Sequence, residues 1–135
     1  MRGRFNIWLY RKSNGRVGAI VPGTAAPICL LTTTGRRSGL ARTTPVVYLE
    51  DGERVILAAS HSSTATHPDW YLNLSANPRV TVEIDGDARA MIARTASSEE
   101  RAQLWPRLVE LYNRFDSYQA RATREIPVVI CTPGV

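Results

Sequence analysis

The sequence predicts a small antiparallel β-barrel of about six strands, an α+β chain in which β predominates, formed by one domain spanning residues 1–135. Three observations predict it. Six short runs rich in Val, Ile, Thr and Leu are linked mostly through glycine-containing turn signals, so that successive strands fold back on one another. One of these runs, residues 54–60, is apolar at consecutive positions rather than alternate ones, which suits a strand covered on both faces. Helical patterning is confined to the start of the chain, a short segment after the third strand and a stretch before the last. With 135 residues and 44% hydrophobic content, the chain is long enough to bury one core and too short for two.

In chain order, residues 1–16 read as an N-terminal helix, with Phe5, Ile7, Trp8, Leu9 and Tyr10 among Arg2, Arg4, Arg11, Lys12 and Arg16, and Asn14-Gly15 as its stop. Its apolar run is too short for a signal peptide. Gly, Pro, Ala and Thr then mark a connection over 17–27. Residues 28–34 and 43–49 are the first two strands; Pro45 has no N–H to give to a ladder, so its strand must lie at an edge or bulge there. Asp51-Gly52 signals a tight turn into the third strand, 54–60. A polar loop carrying both histidines follows, and Pro68-Asp69 opens a short helix. Val80, Val82 and Ile84 alternate with Thr81, Glu83 and Asp85, and Asp85-Gly86 turns the chain into a partner strand over 88–94, a hairpin with one wet face. Ser97 and Glu100 form a capping-box pattern ahead of Trp105, Leu108, Val109 and Tyr112 at helical spacing. Pro106 predicts a kink or restart within that helix. Residues 126–132, rich in Val and Ile, are the last strand.

The formal charge of +5 is unevenly placed. Residues 1–50 hold seven Arg, one Lys and a single acid, Glu50, whereas the rest hold nine Arg and eleven acids. The basic excess therefore lies in the N-terminal helix and first hairpin, where it favours a polyanion, an anionic lipid surface or nucleic acid. A nucleic-acid-binding barrel needs stacking aromatics on its strands, and here the aromatics cluster in helices while the strands are aliphatic. No nucleic-acid partner is expected. The basic aromatic helix admits two uses, packing on the domain or contact with a membrane surface. Cys29 and Cys131 sit in apolar strands without a neighbouring His or Cys at ligand spacing, as expected of small core residues in a reducing, cytoplasmic compartment.

Two stretches carry chemistry. In the first hairpin, Gly35 and Gly39 enclose Arg36, Arg37 and Ser38, with Arg42 just beyond. Glycine permits backbone angles that let N–H groups converge on an anion, and guanidinium forks match phosphate or carboxylate. The same composition also serves an ordinary solvated turn. It is no triphosphate loop, since Gly-x-x-x-x-Gly-Lys-Ser/Thr is missing and a strand follows. In the second stretch the small residues Ala58, Ala59 and Ser60 end a strand, where a flat ring can approach the backbone; His61 and His67 follow, then Asp69, Trp70, Tyr71 and Asn73. The histidines lack a third ligand, so no metal site is expected, and no Gly-x-Ser-x-Gly elbow accompanies the serines.

The segment 32–45 (Thr-Thr-Thr-Gly-Arg-Arg-Ser-Gly-Leu-Ala-Arg-Thr-Thr-Pro), the run from Asp51-Gly52 to Ala58-Ala59-Ser60 and the run from His67-Pro68-Asp69-Trp70-Tyr71 to Asn77-Pro78 closely resemble the deazaflavin-dependent nitroreductase and quinone reductase family. The likeness extends through Trp105-Pro106, Tyr112, Tyr118-Gln119 and Ile126-Pro127-Val128-Val129. It implies a split β-barrel similar to flavin-binding proteins and an oxidoreductase that uses coenzyme F-420, an 8-hydroxy-5-deazaflavin with a phospholactyl-oligoglutamate tail. By that resemblance, Arg36, Arg37, Ser38 and Arg42 hold the phosphate and tail. Thr43, Thr44, Pro45 and Val46 line the cofactor path, Ala58, Ala59 and Ser60 meet the ring, and Asp69, Trp70, Tyr71 and Asn73 cover it. Where relatives carry Lys this chain has His61, a titratable charge in place of a fixed one. The acceptor pocket falls on Tyr112, Phe115 and Tyr118; nitroimidazole-reducing relatives have a third Tyr at the middle position. Phe115 cannot donate a proton or hydrogen bond. The expected acceptor is a planar, electron-poor small molecule: a quinone foremost, then an activated alkene or nitroaromatic. Two alternatives stand beside it: a deazaflavin carrier without turnover, and a basic nucleic-acid-binding barrel.

Overall fold

The computed structural model describes residues 7–12, 20–60 and 66–134. Within them run helix α1 (Ile7–Lys12), strands β1 (Ile28–Thr34), β2 (Ala41–Asp51) and β3 (Arg54–Ala58), helix α2 (Asp69–Ala76), strands β4 (Arg79–Ile84) and β5 (Asp87–Thr95), helices α3 (Ser98–Leu111) and α4 (Arg114–Arg121), and strand β6 (Val128–Pro133). The six strands close into an antiparallel barrel in the order β1-β2-β3-β6-β5-β4. Closure comes from β1 pairing with β4, Leu31 opposite Val82.

Strand alternation sorts the apolar residues into two layers. Cys29, Leu31, Val55, Leu57, Val82, Met91, Val129 and Cys131 fill the barrel interior. Ile56, Ala58, Val128 and Ile130 point outward and are covered by Leu104, Leu108, Tyr112 and Phe115. This second layer explains why β3 is apolar at consecutive positions: its inner face is barrel core and its outer face is roofed by α3 and α4. Both cysteine thiols are buried, which pushes each up to about 12, where they are inert as nucleophiles.

The pairing of β2 produces the split. Residues 41–47 of β2 pair with β1, but β3 meets β2 only from Tyr48 opposite Leu57 to Asp51 opposite Arg54. The Tyr48 N–H donates to Pro27 O at 3.1 Å, so the backbone groups of Val46, Thr44 and Arg42 face β1 and those of Val47, Pro45 and Thr43 face away. Pro45 therefore lies on a stretch of free edge, where its missing N–H costs no ladder bond.

Two local expectations change. The helix does not restart at Trp105-Pro106: α3 runs through Pro106 from Ser98 to Leu111, and the break comes at Tyr112-Asn113. Pro106 and Ala102, whose carbonyl loses its partner, are both exposed, while Leu104 and Leu108 anchor the helix on either side. The last strand begins at Val128 instead of Ile126, because Ile126 is tied into the preceding connection. Its N–H donates to Gln119 Oε1 (2.8 Å) and its carbonyl accepts from Arg101 Nε (3.0 Å). Of the N-terminal helix, 7–12 is described; Phe5 and the Asn14-Gly15 stop lie outside the described residues. Trp8 is 66% exposed, whereas Tyr10 is fully buried and donates to Ile28 O. No helix among the described residues is long and apolar enough to cross a membrane.

The capping box is present: Ser97 Oγ accepts from the Glu100 N–H, and Glu100 accepts from the Ser97 N–H. Arg94 adds a bidentate pair at 2.8 Å, and this guanidinium, with the Ser97 N–H, lowers the Glu100 carboxyl from 4.5 to about 2. A depressed folded value means stability that is complete above the ordinary carboxylate range and is lost as pH falls from about 4.5 toward 2. The thermal midpoint of Glu100→Gln is therefore expected to fall less than that of the wild type across this window. Parallel acid slopes would place the acid sensitivity in other carboxylates.

Candidate functional site

The hairpin between β1 and β2 is tightly closed. Gly35 N–H donates to Leu40 O and Gly39 N–H to Gly35 O, both at 2.8 Å, and the Leu40 N–H donates to Ser38 Oγ. The two glycines serve different ends. Gly39 adopts φ +74°, the left-handed region; Gly35 does not, but a Cβ there would stand 2.6 Å from Ser38 Oγ. The expected backbone cradle for an anion is largely absent, because the N–H groups of Gly35, Arg36, Gly39 and Leu40 are all taken within the protein. Anion recognition at this tip falls to side chains.

Those side chains border a cleft of about 600 Å³ between the tip, the free edge of β2 and α2, lined by Thr33, Gly35, Arg36, Arg37, Ser38, Arg42, Thr44, Ser60, Pro68, Asp69, Trp70 and Asn73. This volume is that of a small-molecule site. Arg42 and Thr44 share the side of β2 that faces it, opposite Thr33 and Leu31 of β1. Arg42 Nη2 reaches Ser38 Oγ at 3.5 Å. Arg36 is the most restrained of the three arginines: Nη1 donates to Asn73 Oδ1 (2.9 Å) and Nη2 lies 3.4 Å from Asp69 Oδ1. Arg37 has no acidic partner among the described residues. The first turn of α2 opens on the cleft through Pro68, Asp69 and Trp70, adding the positive end of a helix dipole to three guanidiniums. Asp69 is the one carboxylate lining the cleft among the described residues and is 88% exposed at its side chain.

The structure thus brings Arg36, Arg37, Ser38, Arg42, Thr44, Ser60, Asp69, Trp70 and Asn73 to one place, from segments far apart in sequence. The other expected residues stand elsewhere. Thr43 turns to the opposite side of β2, its hydroxyl 2.9 Å from that of Thr32, and Pro45 follows the same alternation. Val46 packs on the barrel interior. Ala58 is buried in the outer apolar layer, and Ala59 is buried with its N–H bonded to Pro127 O. Tyr71 packs against Trp70 and His67 and bonds Thr95 through its hydroxyl at 2.9 Å. His61 lies outside the described residues. His67 stacks 4.9 Å from Tyr71, and burial, then the Arg124 guanidinium, lower its imidazole below the ordinary 6.5.

Tyr112, Phe115 and Tyr118 lie in the outer layer, and none lines the cleft. Phe115 is 4% exposed, its ring edge-on to Tyr112 at 5.0 Å and 6.3 Å from Trp105. Arg114 Nη1 donates to Tyr112 Oη (3.2 Å), while burial, then the hydrogen bond that the Tyr118 hydroxyl donates to Tyr112, raise the Tyr118 hydroxyl above its usual 10. Thr33 and Pro68 are cleft residues that sequence reading did not assign, and for Thr33 a signal existed. Its position two after Leu31 on the inward face was the available signal.

A family model described as F420H(2)-dependent quinone reductase matches residues 2–133. The chain belongs to this family. It is an oxidoreductase whose cofactor is coenzyme F-420. A family relative from Mycobacterium tuberculosis (strain H37Rv), named an F420H(2)-dependent quinone reductase, is 38% identical over 132 residues, covering 96% of this chain and 88% of its own. Among solved structures, an F420-H2-dependent reductase (FDR-A) is 38% identical with a TM-score of 0.72, covering 78% of this chain and 93% of its own. A second, described as a domain-swapped dimer, is 32% identical with a TM-score of 0.75, covering 92% and 91% of the two chains. The cleft's donor set suits the cofactor of the family, whose phosphate and carboxylates call for guanidinium and hydroxyl donors and whose flat ring calls for an apolar wall.

Proposed function

We propose that this F420H(2)-dependent quinone reductase family member binds reduced coenzyme F-420 in the cleft beside the β1–β2 tip and reduces a quinone. The observation that supports this reading most is the convergence of three guanidiniums and the Ser38 hydroxyl on one small-molecule-sized cleft at the free edge of β2. In this reading Arg37 and Arg42 grip the phosphate and tail, Ser38 donates its hydroxyl hydrogen, and Trp70 and Ser60 flank the ring. When bound, the reduced deazaflavin supplies a hydride. The protein's part is to hold the tail, shield the ring with Trp70 and leave the acceptor side open to a planar molecule. A quinone taking one hydride and one proton becomes the hydroquinone, and its oxygens take the proton from water.

The test is a fluorescence titration of the purified protein with coenzyme F-420 and with flavin mononucleotide, followed by menadione under each reduced cofactor. Tighter binding of the deazaflavin and loss of the reduced-cofactor signal on adding menadione are expected. Deazaflavin binding without turnover would make the protein a carrier, and equal binding and turnover with flavin mononucleotide would overturn the assigned cofactor preference.

A further inference from the structure

We infer that Asn73 is a positioning residue that sets Arg36 for the anion rather than a contact of the cofactor. The inference rests on the cleft assignment above and concerns how the clamp is held ready. Asn73 is 4% exposed and lies on the buried side of α2, 37 positions from the arginine it meets. Its Oδ1 accepts twice from Arg36, from the backbone N–H at 3.1 Å and from Nη1 at 2.9 Å, while Nδ2 donates to Thr33 Oγ1 at 3.2 Å. Thr33 is itself 2% exposed. One carboxamide therefore fastens the backbone of the tip, the fork of Arg36 and strand β1 to helix α2.

The chemistry of the amide fits this task. Its oxygen supplies two acceptor directions and its nitrogen supplies donors, so a half-buried backbone N–H, a cation and a threonine hydroxyl are satisfied without adding a second carboxylate beside Asp69. A carboxylate in its place would hold Arg36 equally well but would oppose an incoming phosphate. With its acceptor committed twice, Asn73 has little left for a ligand. Arg36, by contrast, is held by Asn73 through Nη1 and by Asp69 through Nη2 (3.4 Å), with Nε and the other fork hydrogens unspent. An arginine ordered in advance loses less freedom when the anion arrives, so the hold is read out as affinity.

The decisive measurement is a double-mutant cycle on calorimetric coenzyme F-420 affinity, with thermal midpoints recorded for every variant. Arg36→Ala and Asn73→Ala are each expected to weaken binding by about tenfold, and Asn73→Ala to change it less than about twofold once Arg36 is already alanine. Asn73→Asp keeps the paired oxygen on Arg36, and a threonine hydroxyl can turn to donate to it, so this variant folds. In that background Arg36→Ala should retain its full effect on affinity. Equal losses from Asn73→Ala with and without Arg36 would overturn the inference in favour of direct contact or general loosening. Weakening by Arg36→Ala with none by Asn73→Ala would overturn it while leaving the cleft assignment intact. If neither variant weakens binding, and the Arg37 and Arg42 alanine pair is equally silent, the cleft assignment itself falls.

Discussion

Replacing Arg37 and Arg42 together by alanine is expected to weaken coenzyme F-420 binding at least tenfold while leaving the thermal midpoint nearly unchanged. Both side chains border the cleft. Neither is spent on the fold: Arg37 has no acidic partner among the described residues, and Arg42 makes one long contact with Ser38. A charge-assisted hydrogen bond contributes about 1.5–3 kcal/mol. Exposure to solvent trims the value for groups as open as these, so tenfold, about 1.4 kcal/mol, is a floor for two guanidiniums. The loss should be larger at low salt and shrink as salt is raised, since the Debye length falls from about 30 Å at 0.01 M to about 10 Å at 0.1 M. Calorimetry at two salt concentrations reads both effects. Unchanged affinity at low salt would move the anion away from the tip.

The second large effect is expected at Phe115, on stability. Its ring is buried in the layer between α3, α4 and the outer face of the barrel, in contact with Tyr112 and Trp105. Truncation of such a ring costs about 3–5 kcal/mol, so Phe115→Ala should lower the thermal midpoint on the order of 10 °C or more. Phe115→Tyr probes the same environment from the other side. A hydroxyl added to this 4% exposed ring in an apolar cluster is expected to cost about 1–3 kcal/mol, with cofactor affinity unchanged. A Phe115→Tyr protein as stable as the wild type, with faster turnover of a nitroaromatic, would instead show that the ring reaches the acceptor, as the Tyr112, Phe115, Tyr118 spacing suggests.

Much of this molecule is legible in its linear order. The barrel followed from six apolar runs and their turns, because hairpin pairing is a local consequence of strand period and turn chemistry. Pro45 announced a free edge and Ser97 a helix start for the same reason: each is decided by the hydrogen bonds its own neighbours can make. The donor groups at the tip were also readable, since two glycines around arginines and a serine carry what an anion calls for, although the same composition serves a solvated turn. What the sequence could not decide was which of these groups remain available. Backbone N–H groups at the tip that look free in a string of letters are taken by Leu40, Gly35, Ser38 and Asn73 once the hairpin closes. Thr43 and Thr44 are equivalent as letters but face opposite sides of β2. The resemblance sets Phe115 in a pocket, whereas the packing of α4 against α3 sets it in a core. The resemblance sets Asn73 over the ring, and only the approach of α2 to the tip brings its carboxamide to Arg36. Composition and period determine which groups a chain carries and which elements it forms. Long-range packing determines which donors are already satisfied, and a site consists of those that are not.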